Sequence, residues 1–225
     1  MWLLITIAVF FAARALSRQL NHPFANPLLI SIAVLIPTLV WLKVPYEHYY
    51  AENQWLNLLL QPAVVALAYP LYEQLPQIRR HWRVILLASF VGSVMSMLTA
   101  TLIASLFATD LTLIASLLGK SVTTPIAMEV SRQLGGEAAI AAILVLLVGL
   151  FGAIFAYPIY RLLDIRHPIA RGLTMGTVSH ALGTATCVEK QPEDAAFSSL
   201  ALVLCGVITS ILAPSFFLFA AWLSV

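Results

Sequence analysis

The stretch "GKSVTTPIA", residues 119–127, interrupts a chain that is otherwise almost unbrokenly apolar. The Lys120 ammonium and the hydroxyls of Ser121, Thr123 and Thr124 are groups that could hold a small carboxylate, helped by backbone N–H groups at a helix start. A charge at membrane depth is costly and marks a functional candidate by default. The competing reading is a lysine that snorkels to the interface. Pro125 breaks the backbone and starts the returning helix. Glu129 follows, with Arg132 three residues later on the same face. An internal ion pair is the plainer reading there, and a proton-carrying role the other.

A second polar set lies in "RGLTMGTVSHALGTATCVEK", residues 171–190. His180 suits a proton carrier or a donor to an anion, and equally a ring hydrogen-bonded within a bundle. Ser179, Gly183 and Thr184 add hydroxyls and backbone freedom, so the substrate-binding set includes all four. Glu189, Lys190, Glu193 and Asp194 read as a solvated turn. In a third interrupted stretch, 59–75, Pro62 and Pro70 bend the chain. Gln61, Tyr69 and Tyr72 offer neutral hydrogen bonds to a hydroxylated substrate, although interfacial anchoring explains the tyrosines as well. No nucleotide loop, nucleophile with its base, or metal-ligand cluster is present, and Cys187 and Cys205 have neither metal spacing nor a disulfide framework. No catalysis, cofactor or metal is expected.

The elements that must position these groups follow from composition. Of 225 residues, 61% are hydrophobic and only 10% charged, with a mean hydropathy of +0.93. Soluble domains carry about 25% charged residues, so this is an integral membrane protein in contact with lipid. A net charge of +2 gives nucleic acid no footing. Apolar runs at 2–16, 26–42, 55–72, 84–108, 138–160 and 195–223 predict six membrane-spanning helices. The first run has no basic region before it. Arg14 and Arg18 follow it, as in a first span whose N-terminus lies outside rather than a cleaved signal.

Charge then sets the parity. If 111–134 and 171–190 enter the membrane and return, Arg14/Arg18, Arg79/Arg80/Arg83 and Arg161/Arg166/Arg171 all fall in the cytoplasm and both termini in the periplasm. Gly92, Gly149 and Gly206 recur 57 residues apart, and Gly119 stands at the same offset from Gly176. The expected fold is therefore a single all-α domain, 1–225, with six spans and two re-entrant hairpins. Its internal repeats, about 84–137 and 138–215, are inverted, as in secondary transporters.

"LQPAVVALAYPLYEQL", "KSVTTPIAMEVS", "RGLTMGTVSHALGTA" and "AFSSLALVLCGVITSILAP" resemble the LrgB/CidB family of bacterial inner-membrane proteins over nearly the whole chain. The resemblance implies a holin-like or antiholin-like role in murein hydrolase export and lysis, beside a small LrgA/CidA-type membrane partner. It also implies small-carboxylate transport, since the plastid glycolate/glycerate translocator contains a similar domain and bacterial members are linked to pyruvate uptake. Self-association into a homo-oligomer stays open. Holins need oligomerising helices but neither an inverted duplication nor polar hairpins. The sequence therefore favours an ion- or proton-coupled carboxylate transporter.

Overall fold

The computed structural model describes residues 1–20, 27–59, 62, 65, 69, 72, 75–107 and 109–223. Among them are ten helices and no strand. Gln61 and Pro70, and half of the expected span 55–72, lie outside the described residues, and Pro62 is exposed. The chain divides into two compact units, Met1–Tyr69 and Pro70–Val225.

The first unit holds α1 (Trp2–Leu20), α2 (Pro27–Trp41), α3 (Tyr46–Glu52) and α4 (Gln54–Leu58). Only Trp2 and Ala13 of α1 are buried. Leu4, Phe10, Phe11 and Leu16 are exposed, as in a helix that meets lipid rather than a protein core. Its start is tied to α3, where the Trp2 N–H donates to the Glu52 carboxylate at 2.6 Å and the Thr6 and Tyr49 hydroxyls meet at 2.8 Å. The N-terminal ammonium, bonded at 2.7 Å, holds the Glu52 carboxyl below its ordinary range.

The second unit contains α5 (Leu75–Leu106), α6 (Leu111–Leu117), α7 (Thr124–Gln133), α8 (Ala138–Leu162), α9 (Pro168–Lys190) and α10 (Pro192–Leu223). Among the described residues, four helices are long and apolar enough to span a bilayer: α1, residues 79–106 of α5, α8 and α10. With 15 residues, α2 is apolar but short. This is a multi-pass membrane protein.

Between α5 and α8 the chain doubles back. Gly119 lies against Ala127, where a Cβ would come 2.8 Å from the Ala127 Cα, and Ser116 meets Ser131 at 3.5 Å. Contacts at 119–127 and 116–131 advance in opposite directions, so α6 and α7 are antiparallel. Thr123 stands at the N-cap of α7 and Pro125 in its first turn, where a missing N–H costs nothing. Gly135, at φ 80°, ends α7. The Gly136 N–H reaches the Ser131 carbonyl at 2.8 Å and that of Gly135 the Arg132 carbonyl at 3.2 Å, which forms a Schellman cap. Ser116 Oγ then accepts the Glu137 N–H at 2.8 Å and so ties the entry of α8 to the first hairpin.

The second reversal sits inside α9. His180 has φ 41° and ψ −134°, a conformation suited to glycine at the start of a type II′ turn. Gly183 lies against the side chain of Met175, eight residues earlier, whereas a straight helix would separate them by about 12 Å. Cys187 also packs with Met175. The arms 168–179 and 181–190 are therefore antiparallel, and α9 is a hairpin.

Candidate functional site

Each long helix of the second unit touches both hairpins at positions within about one turn of each other. On α5, Gly92 makes room for Thr177 of the second hairpin. One turn further, Ser96 bonds Lys120 of the first. On α8, Val145 packs with Val122, and its carbonyl oxygen lies 2.9 Å from His180 Nε2. On α10, Cys205 lies 3.5 Å from Thr177 Oγ1, while the next residue, Gly206, receives Ile126. The two tips thus reach the same level, about halfway along α8. They arrive from opposite ends. Glu137 at the start of α8 is bonded to the base of the first hairpin, and near its end the Tyr160 hydroxyl donates to the Arg171 carbonyl at the base of the second, at 3.1 Å.

At the first tip the Lys120 ammonium donates to Ser96 Oγ at 2.8 Å and to Ser121 Oγ at 3.3 Å, and those two hydroxyls are 2.9 Å apart. Lys120 lies at one end of an open groove of about 390 Å³ between α5 and α6. Its walls are Thr99, Ile103, Phe107, Leu113 and Leu117, and it reaches Thr109 at the base of the hairpin. Ser121 and Thr123 are buried, Thr124 is half-buried and Pro125 is exposed.

At the second tip Ser179, His180, Gly183 and Thr184 are all buried. A carbonyl only accepts, so His180 Nε2 carries the hydrogen toward Val145. Its Nδ1 is buried and has no hydrogen-bond partner among the described residues. Gly149 and Gly152 of α8 leave the space that His180 and Ser179 fill. Thr184 is engaged with the His180 carbonyl at 2.9 Å and with Ser198 Oγ at 2.7 Å. Glu129 stands apart on the exposed face of α7, 3.8 Å from Arg132, and accepts from Gln133 at 3.0 Å.

The LrgB-like family matches residues 6–219. The chain belongs to that family. An uncharacterized protein of Haemophilus influenzae is 45% identical over 213 residues, covering 95% of this chain and 92% of its own. The holin-like protein CidB of Staphylococcus epidermidis is 34% identical over 94% of this chain and 93% of its own. YxaC of Bacillus subtilis, also uncharacterized, is 36% identical over 94% and 92%. No solved structure is significantly similar. Neither the family nor these relatives carry an enzyme's name.

Three features of this LrgB-like chain differ from the expectations drawn from its sequence. Ser96, the partner of Lys120, belongs to a set with Ser89 and Ser93 on one face of α5, spaced i, i+4, i+7. Ser89 and Ser93 are buried with hydroxyls unpaired among the described residues. That spacing was the available signal. Asp194 is fully buried, unlike the solvated turn expected of it. It accepts from Arg171 at 3.0 Å and from Tyr157 at 2.9 Å. The reason is Gly172, whose missing side chain lets the Asp194 backbone close onto the second hairpin. Lys190, also expected in that turn, lies 5.5 Å from the Tyr157 ring centroid.

Proposed function

We propose that this LrgB-like protein is a secondary transporter of small carboxylates of the glycolate, glycerate and pyruvate class, coupled to protons or another ion. One observation carries the reading. The return arms 124–133 and 181–190 both begin at the hairpin tips, so one positive helix end lies near the Lys120 ammonium and the other near the unpaired Nδ1 of His180, at the same level along α8. Such a centre suits an anion that gives up its water. Ser121, Thr123, Thr124 and Ser179 supply hydroxyls around it. His180 carries the coupling proton, and Glu129, held by Arg132 and Gln133, is the weaker candidate.

In this reading the hairpins are re-entrant, and 84–137 and 138–215 are inverted repeats within one domain. Distances along the helices support it. At 1.5 Å per residue, Gly149 is about 18 Å from both Glu137 and Arg161, and the tip level on α5 is about 16 Å from Arg83. Half of a hydrocarbon core is about 15 Å. The tips then sit at the midplane of a bacterial inner membrane, and the arginines at its cytoplasmic boundary.

A second reading is a holin-like membrane protein that acts on murein hydrolase export and lysis, with a small LrgA/CidA-type partner or as a homo-oligomer. The name of the staphylococcal relative speaks for it more directly than for transport. Uptake of labelled glycolate and pyruvate into proteoliposomes, with and without an inward proton gradient, separates the two. Transport requires saturable uptake that responds to the gradient. Empty-liposome levels of uptake, with leakage of an unrelated dye, would leave the holin-like role.

A further inference from the structure

Away from the hairpin tips, the outer side of α5 carries a groove of about 450 Å³, lined by Trp82, Arg83, Leu86, Leu87, Phe90 and Ile208 of α10. All of its walls are apolar except at one end, where the Arg83 guanidinium lies 5.4 Å from the Trp82 ring centroid. Arg79 and Arg80 are exposed one turn earlier. No Asp or Glu occurs between residues 75 and 107, and among the described residues no carboxylate pairs with these three arginines. Among the described residues, a cationic cluster is thus left without a counter-charge at the mouth of an apolar trough.

The dimensions fit one kind of occupant. From Arg83 to Phe90 the helix rises about 10 Å, within the roughly 15 Å depth of one leaflet. Trp82 stands where an indole favours the boundary between headgroups and hydrocarbon. A peptide laid in this trough would bring backbone polar groups against walls that offer them no partner. An acyl chain brings none, and a phosphate at its head supplies the charge that the arginines lack.

We propose that the groove binds one acyl chain of an anionic phospholipid, with the lipid phosphate held by Arg83 and backed by Arg79. The site is separate from Lys120 and His180 and stands whether or not the protein transports carboxylates. The test is thermal unfolding of the full chain in neutral detergent, with phosphatidylglycerol or phosphatidylcholine of identical acyl chains added. Phosphatidylglycerol should raise the melting temperature by about 2–4 °C more than phosphatidylcholine. Arg83→Gln should abolish the difference, as should Ile208→Trp, which fills the groove. Arg166→Gln, which does not line the groove, should keep it. A phosphatidylglycerol with a diazirine in its acyl chain should label residues 86–90. Equal protection by both lipids, an undiminished difference in Arg83→Gln, or cross-links that seat a second copy or the Met1–Tyr69 unit in the groove would each overturn the proposal.

Discussion

His180 and Gly149 occupy one space. A Cβ on Gly149 would fall 2.7 Å from His180 Cε1 and 2.8 Å from Nε2, the nitrogen that donates to Val145. Gly149→Ala should therefore push the ring off its carbonyl, at a cost of about 1–3 kcal/mol in stability, and reduce uptake at least tenfold. Gly206→Ala meets only the terminal methyl of Ile126, at 2.9 Å, and should be milder by both measures. Thermal unfolding and proteoliposome uptake, measured on the same preparations, check the pair.

At His180 itself, backbone and side chain make opposite demands. Its φ of 41° strains any residue with a Cβ. His180→Gly should be more stable than His180→Ala by about 1–2 kcal/mol, yet both should lose gradient-driven uptake. Equal melting temperatures would show that the turn imposes no strain, and gradient-driven uptake by either variant would remove His180 from the coupling.

If the Lys120 ammonium pairs with a substrate carboxylate, Lys120→Ala should cost about 2–5 kcal/mol of binding, well over tenfold in apparent affinity. Lys120→Arg should rescue only partly, because a planar fork does not replace a compact ammonium. Ser96→Ala, which removes the hydroxyl 2.8 Å from Nζ, should weaken affinity less than Lys120→Ala does. Concentration dependence of initial uptake rates measures all three. Unchanged affinity in Lys120→Ala would move the site to His180 and the hairpin backbone.

Asp194 has no solvent exposure, and its partner Arg171 is 18% exposed. Removing the carboxylate leaves a guanidinium largely out of water, so Asp194→Ala should lose about 3–5 kcal/mol. Asp194→Leu combined with Arg171→Met should recover much of that loss. A double-mutant cycle on detergent-solubilised protein reads the coupling between the two.

Both termini should face the periplasm. A C-terminal fluorescent protein that matures only in the cytoplasm should stay dark, and a C-terminal phosphatase should be active. The reverse result would remove the parity on which two re-entrant hairpins rest.

How much of this was visible in the residues differs from place to place. The first hairpin was legible because Pro125 and a run of hydroxyls cannot continue an apolar span. The second was legible as an interrupted segment, but not its turning point, since no residue-type rule puts a histidine at φ 41°. The 57-residue glycine spacing was a sign of an internal repeat and said nothing of packing, yet Gly92, Gly149 and Gly206 each receive a hairpin side chain. Asp194 was misread because Glu189, Lys190 and Glu193 around it are exposed, and its burial depends on Gly172, far enough away in sequence to carry no local signal. Ser96 escaped notice because a serine within an apolar helix is ordinary until a lysine is folded against it.

One feature of α10 bears on how the chain is made. It lies along both hairpins, with Gly172 and Gly176 of the second against Asp194 and Ser198, and Ile114, Leu118 and Val130 of the first against Ala213 and Ala220. It also leaves the ribosome after both hairpins. At about 5–20 residues per second, the first hairpin waits roughly 5–20 s between its own synthesis and the completion of α10. During that interval Lys120 and its hydroxyls have only part of their shelter. The nascent chain must hold them near water, at the insertion machinery or the membrane surface, until α10 arrives.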